Sequence, residues 1–455
     1  MGFGTRRDVL KVSGALIGGI GFGSTVTAAT STDRYIVQTR GRGLPADVEP
    51  VHEMPGVDYA VVRGDTETLD QSRAVKDYAP DIELTLEEPD TPDDLADERD
   101  FLDLPESLNG EDLYDLEWDK QVQNIREAHD ITRGEGTRIA IIDDGVYADH
   151  PDLNVNEELS RNFTGDDNGT GALFDDHGTH VAGTAAARDN GTGVVGTAPG
   201  AEIVDLRVFS GPTASFGAIL AAIAYATAIE ADVANLSLGA YPVPRQAQGS
   251  FYGGALNKTM TLANKEDTLL VIAAGNDSAN LQQDKNLISL PNEGAQGLSV
   301  AATGPEGFLF GDDGFSEPPE SPAYYTNYGT NDIVLGAPGG DLDLDAPDEV
   351  SVLNLVGDWV LSTTFETPDD EEPTDENEDG LIDAPPSSKT ARYGYKQGTS
   401  MAAPQVTGAA ALVKSANPDY SANQVEAALK RAADVPDGYD KAFYGSGFVN
   451  VLDAL

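Results

Sequence analysis

Three short segments carry the residue types that could break a covalent bond. Ile141-Ile142-Asp143-Asp144-Gly145 puts a carboxylate at the end of an apolar run. A carboxylate at the end of a buried strand is costly without a partner, and taken alone Asp143 reads as the cap of the next turn. Asp176-His177-Gly178-Thr179-His180 opens an Ala-rich helical stretch. Two imidazoles at i, i+3 share a helix face, so a metal pair is conceivable. The Glu a zinc protease would need between them is missing, no third ligand is evident, and His180 reads as structurally hydrogen-bonded. Gly398-Thr399-Ser400-Met401-Ala402-Ala403-Pro404 opens another helix. Small residues around a serine there let a substrate backbone approach, and the helix dipole favours developing negative charge. The plain reading is an N-cap serine.

These segments sit in a recognisable frame. Runs at 138–142, 202–208, 232–236 and 269–273 are nearly continuous and apolar, as strands buried on both faces are. Ala-rich helical stretches such as 217–230 lie between them, and the alternation predicts a parallel sheet with helices on both faces. Sites in such folds form at the carboxyl ends of strands. A smaller unit precedes this frame, with strands expected over 34–38, 58–63 and 82–86 and a helix over 69–78. An acidic, Pro-containing stretch from Glu87 to Asp103 reads as a linker. Two inserts, 305–323 and 340–392, are rich in acid, Pro and Gly and are expected as surface loops.

The chain has 455 residues, with 78 acids against 28 bases and a formal charge of −50. Such a charge repels phosphate and anionic lipid, which excludes a nucleic-acid-binding chain. The excess is spread along the sequence, as in proteins that stay hydrated in concentrated salt. Cysteine is absent, so disulfides, thiolate nucleophiles and Cys-ligated metals are excluded. Thr5-Arg6-Arg7-Asp8-Val9-Leu10-Lys11 resembles a twin-arginine export signal; an apolar run and small residues at Val26-Thr27-Ala28-Ala29 follow. The expected division is therefore a signal peptide at 1–30, a small domain with its linker at 31–105, and the main domain at 106–455. No membrane association is expected once the signal is removed, and a monomer is expected.

Taken together, the three segments resemble the signatures of the subtilisin-like serine proteases, in that family's order of Asp, His, Ser. Ala273-Ala274-Gly275-Asn276 at the end of a strand is a fourth match. The resemblance covers roughly 113–455 and, with the acidic composition, lies towards haloarchaeal secreted members. It implies an α/β, three-layer subtilisin-like fold with a central, mostly parallel sheet. It implies a serine endopeptidase acting on proteins and peptides through an acyl-enzyme: Ser400 attacks, His177 carries the proton, Asp143 orients the imidazole, and Asn276 with the Ser400 N–H stabilises the oxyanion. Substrate is expected to add as a strand beside Leu236-Ser237-Leu238-Gly239. That segment and Ala273-Ala274-Gly275 resemble the walls of the primary specificity pocket, small and uncharged. The amino-terminal unit resembles the family's inhibitory propeptide, with self-cleavage expected within 86–110. Residues 444–450, near the end of the sequence, resemble the close of the catalytic domain, and no appended domain is expected.

The resemblance also implies structural Ca²⁺ held by Asp152, the Asn190 side chain and the carbonyls of Arg188, Thr192 and Val194. A second candidate, Asp375, Asn377, Asp379 and Asp383, follows the spacing of an EF-hand-like loop, although Pro386 stands where a Glu is expected. No organic cofactor is expected. Gly191-Thr192-Gly193-Val194-Val195-Gly196 is a literal G-x-G-x-x-G, but it follows a helix and precedes a strand, the reverse of a dinucleotide site. The remaining alternative is an inactive, peptide-binding relative; all four catalytic positions are filled, so the sequence gives it no support.

Overall fold

The computed structural model describes residues 33–41, 44, 48–85, 89, 110–173, 175–244, 249–283, 286–309, 316–344, 352–368, 374, 381–382 and 384–455. The first unit holds β1 (Arg34–Thr39), β2 (Glu49–Glu53), β3 (Tyr59–Arg63) and β4 (Val75–Pro80), paired antiparallel in the order β2-β3-β1-β4. The helix expected over 69–78 is displaced: it spans Thr66–Gln71, started by Asp65, whose carboxylate accepts the Thr68 N–H at 2.8 Å. Val75 and Ala79 are buried against the rest of this unit and its neighbour, and their segment runs as β4. The segment β5 (Glu83–Thr85) leaves this sheet altogether. It pairs antiparallel with β9 (Thr213–Ser215) of the second unit, Leu84 opposite Ala214.

The second unit is built on a sheet of seven parallel strands. In chain order they are β6 (Arg138–Asp143), β7 (Arg161–Asn162), β8 (Glu202–Arg207), β10 (Val233–Leu236), β12 (Leu269–Ala273), β14 (Gly297–Thr303) and β15 (Leu335–Pro338). Their spatial order is β15-β14-β12-β10-β6-β8-β7. Alternation along β6 explains the three layers. Ile139 and Ile141 face the helices His177–Ala186, Thr399–Ala416 and Ala422–Ala432. Ala140 and Ile142 face the helices Phe216–Ala228 and Gly249–Lys265. Each such isoleucine, fully buried, contributes about 1.5–3 kcal/mol. The second of these cores continues into the first unit through Ile36, Tyr59, Val61, Ile82 and Leu84. Two short antiparallel pairs flank the sheet: β11 (Ala240–Pro244) with β13 (Leu287–Leu290), and β16 (Val360–Glu366) with β17 (Thr390–Lys396).

That last pair corrects the reading of 340–392 as surface loop. Trp359, Val360 and Leu361 are buried, and the Ser362 and Thr363 hydroxyls donate to the carbonyls of His180 and Thr179 at 2.8 and 2.7 Å. The hairpin is therefore part of the wall that holds the His177–Ala186 helix. Among the described residues, no helix is long and apolar enough to cross a membrane.

Candidate active site

Asp143 ends β6, an interior strand between β10 and β8, and is fully buried. Its Oδ1 accepts the His177 Nδ1–H at 2.8 Å and the Asp144 N–H at 2.9 Å. With Nδ1 bound, the tautomer leaves Nε2 as the acceptor. Burial works against the charged imidazole, but Asp143 outweighs it, and the His177 pKa is raised above the ordinary value. Backbone sterics hold the two segments together. At Gly178 an added Cβ would lie 2.4 Å from the Gly145 carbonyl oxygen, and at Gly145, with φ at +120°, it would lie 2.4 Å from the Gly171 carbonyl carbon. Neither place admits a side chain.

Further charge surrounds the imidazole. Asp144 Oδ1 accepts the Gly178 N–H at 2.7 Å; burial first, then Asp143, hold its carboxyl well above the usual range. Lys396 Nζ lies 2.9 Å from Asp176 Oδ1 and 3.4 Å from Asp175 Oδ1. Burial pushes Asp176 up to about 7 against the pull of Lys396, whereas Lys396 holds Asp175 below the usual value despite its own burial.

Ser400 stands in the first turn of the Thr399–Ala416 helix, with its Oγ donating to the Ser237 carbonyl at 3.2 Å. Asn276 follows the end of β12. Its Oδ1 accepts both the Thr399 N–H and the Thr399 hydroxyl, each at 2.9 Å. That fixes the amide with its nitrogen end towards Gly398. The space a Cβ would occupy at Gly398 lies 3.6 Å from Asn276 Nδ2 and 3.5 Å from the Ser400 nitrogen. Two N–H donors thus border one small space beside a residue that has no side chain. Such a space suits an oxyanion. Pro89 reaches the same point, with its Cδ 3.7 Å from that position.

Of the expected pocket walls, Leu238, Gly239, Ala273 and Gly275 line one cavity together with Asn276 and Ser400. Leu236 and Ala274 are fully buried behind it, and Ser237 lies against Ser400. The cavity also takes Tyr241, which sequence reasoning missed, and Asp277 and Ser289 from the segment 277–290, which was expected to close the pocket but named no wall residue. Asp277 corrects the picture of uncharged walls; its Oδ2 accepts the Asn327 amide at 2.9 Å. Its position directly after Asn276 was the available signal.

The first set of expected calcium residues comes together. Asp152 is fully buried, with Oδ1 accepting the Asn190 amide at 2.8 Å and Oδ2 the Tyr393 hydroxyl at 2.7 Å. Asn190 Oδ1 accepts the Thr192 N–H at 3.1 Å, and the Arg188 N–H donates to the Asp152 carbonyl at 2.7 Å. Val194 is buried beside Tyr393. The Asp152 carboxylate and the Asn190 amide oxygen, which are hard oxygen donors of the kind Ca²⁺ takes, are here engaged by protein donors. Asp375, Asn377, Asp379 and Asp383 lie outside the described residues.

Residues 134–447 match the model of the Subtilase family. Subtilisin DY of Bacillus licheniformis is 32% identical over 324 residues, covering 70% of this chain and 90% of that protein. An extracellular protease of Xanthomonas campestris pv. campestris is 29% identical over 492 residues, covering 95% of this chain and 71% of the other. Among solved structures, fervidolysin from Fervidobacterium pennivorans, described as a keratinolytic enzyme related to subtilisin, superposes with a TM-score of 0.65. It is 21% identical, covering 96% of this chain and 62% of that one, and supports the fold alone. A protease from Pseudoalteromonas arctica gives a TM-score of 0.57 at 28% identity, covering 76% and 98%. With its central parallel sheet and these relatives, the chain belongs to the subtilase family and is a serine endopeptidase.

Proposed function

We propose that the chain is the precursor of a secreted endopeptidase whose nucleophile is Ser400. Ser400 Oγ attacks the scissile carbonyl while His177 Nε2 takes its proton. Asp143 stabilises the imidazolium, and the Asn276 amide and Ser400 N–H receive the oxyanion. His177 then gives the proton to the leaving amine as the C–N bond breaks. Water, deprotonated by His177, attacks the acyl-enzyme ester; the carboxylic product leaves and Ser400 regains its proton. The observation that carries this reading is the pair of N–H donors beside Gly398, at the start of the helix that bears Ser400, in a chain whose Asp143 carboxylate holds the His177 imidazole.

We infer self-processing from the way the first unit enters the cleft. The segment β5 lies antiparallel to β9, and Pro89 sits beside Gly398 and the Asn276 amide. With Thr85 opposite Thr213 and Pro89 beside the oxyanion space, we put the cut between Thr85 and Pro89, at the start of the range expected from sequence. Asp81 supports docking: its carboxylate accepts the Gly217 N–H at 2.8 Å and the Ser215 hydroxyl at 2.8 Å, and lies 2.7 Å from Arg34 Nε. The first unit thus serves as an intramolecular inhibitor, and proteins and peptides are the substrates. The extracellular protease among the relatives and the Arg6-Arg7 segment support export by a twin-arginine route. The charge of −50 supports adaptation to salt, with activity falling as salt is lowered. Asp152 and Asn190 would hold Ca²⁺ with the carbonyls of Arg188, Thr192 and Val194; the ion would brace the loop that follows the His177–Ala186 helix.

The test is secretion of Ser400→Ala beside the parent, with mass spectrometry of the intact products. The parent is expected to begin between residues 86 and 89 and the variant to lose only its signal. Identical products from both would overturn self-processing. Ser400 itself would fall if a serine-reactive phosphonofluoridate failed to label it in the parent.

A further inference from the structure

The nucleophile's helix contains a defect. Pro404 lies inside the Thr399–Ala416 helix, four residues after Ser400. In an unbroken α-helix the N–H at that position would donate to the Ser400 carbonyl, and proline has none to give. A buried carbonyl deprived of its donor is costly and leaves its peptide free to tilt. At Ser400 such a tilt would move the attacking oxygen.

A side chain from another element fills the gap. Ser237 Oγ donates to the Ser400 carbonyl at 2.7 Å. The Asn235 amide donates to Ser237 Oγ at 2.9 Å, and the Thr407 hydroxyl donates to Asn235 Oδ1 at 2.8 Å. Asn235, Ser237 and Thr407 are all fully buried. The sense of this chain follows from its last member. A carbonyl can only accept, so the Ser237 hydroxyl must donate to it. Ser237 must then accept from an N–H, which puts the oxygen end of Asn235 towards Thr407. Thr407 belongs to the same helix as Ser400, about two turns on. The bonds therefore leave the helix, cross β10 and its C-terminal extension, and return to its first turn.

We propose that Ser237, oriented through Asn235 and Thr407, is a positioning residue that supplies the hydrogen bond Pro404 cannot, and so holds the Ser400 backbone for attack. This rests on the reading of Ser400 as the nucleophile. Ser237 then has two separate duties: its backbone meets substrate, and its hydroxyl holds the helix.

The test reads the reactivity of Ser400 directly, as the rate of labelling of the mature enzyme by a phosphonofluoridate, beside kcat and KM on a peptide. Ser237→Ala is expected to lower the labelling rate and kcat about tenfold, the scale of one buried acceptor left unsatisfied, with KM within about twofold. Pro404→Ala restores a main-chain N–H, so in that background the same substitution is expected to cost less than about threefold. Thr407→Val, which removes only the far donor, is expected to slow labelling about threefold and covers the case in which Ser237→Ala does not mature. A parental labelling rate in both single variants, or an equal loss with and without Pro404, would overturn the proposal. Failure of the parent to label at Ser400 would instead remove the nucleophile reading, and this inference with it.

Discussion

Asp81 offers the sharpest test of how the first unit is held. It is fully buried and receives three groups at once: Arg34, the Ser215 hydroxyl and the Gly217 N–H. Asp81→Ala would leave the Gly217 N–H without its acceptor and the Arg34 guanidinium, only 13% exposed, without its anion. Breaking one side of a buried pair costs about 3–5 kcal/mol. Arg34 retains the Ser215 hydroxyl at 2.9 Å, which argues for the lower end. About 3 kcal/mol corresponds to a roughly 150-fold weaker complex. The assay uses the Ser400→Ala precursor, nicked in its linker by a trace of parent enzyme, with dissociation followed on dilution. A complex that holds as well as the parent's within threefold would refute the assignment of Asp81 as the anchor.

Four further outcomes follow from the site. Asp143→Asn is expected to lower kcat about ten-thousandfold, as when a triad carboxylate is neutralised in place. Because Asp143 raises the His177 pKa, its loss should also move the acid limb of the residual activity to lower pH; a limb moving upward would contradict the assignment. Asn276→Ala removes one oxyanion donor and should lower kcat about a hundred- to a thousandfold with little change in KM, read by steady-state kinetics. Gly145→Ala would press a methyl onto the backbone at Gly171 at a φ of +120°, so no mature enzyme should accumulate in the secreted fraction. Chelation should lower the melting temperature through loss of Ca²⁺, by about 2.7 kcal/mol of stability if calcium stands at a hundred times its dissociation constant. Asp152→Asn should abolish that difference.

The candidate catalytic residues were legible only in combination: alone, Asp143 reads as a turn cap and Ser400 as an N-cap, and it is the three segments in one chain order that carry the resemblance. The strands of the parallel sheet were legible because burial on both faces removes polar residues from them. What escaped depended on partners far along the chain. The segment 75–80 has its buried positions four apart, Val75 and Ala79, a spacing that suits a helix until pairing with β1 makes it a strand. The hairpin β16–β17 is framed by acidic sequence, and its apolar residues acquire meaning only against the His177–Ala186 helix. Asp277 was obscured because its wall is completed by Ser289 and Tyr241 from the separate β11–β13 pair.

The order of strands has a consequence for how this chain reaches its native state. The interior strand β6 cannot pair when it is made, because both of its neighbours, β8 and β10, lie downstream behind further segments. Non-local parallel pairing of this kind is slow, and an apolar strand left waiting invites aggregation. By contrast, β1 to β4 pair among themselves with short connections and can be complete early. Their finished surface offers Ile36, Tyr59 and Val61 to the two helices between β9 and β12. The first unit can thus act as a mould: a surface already set, on which one half of the larger core takes shape before its sheet closes.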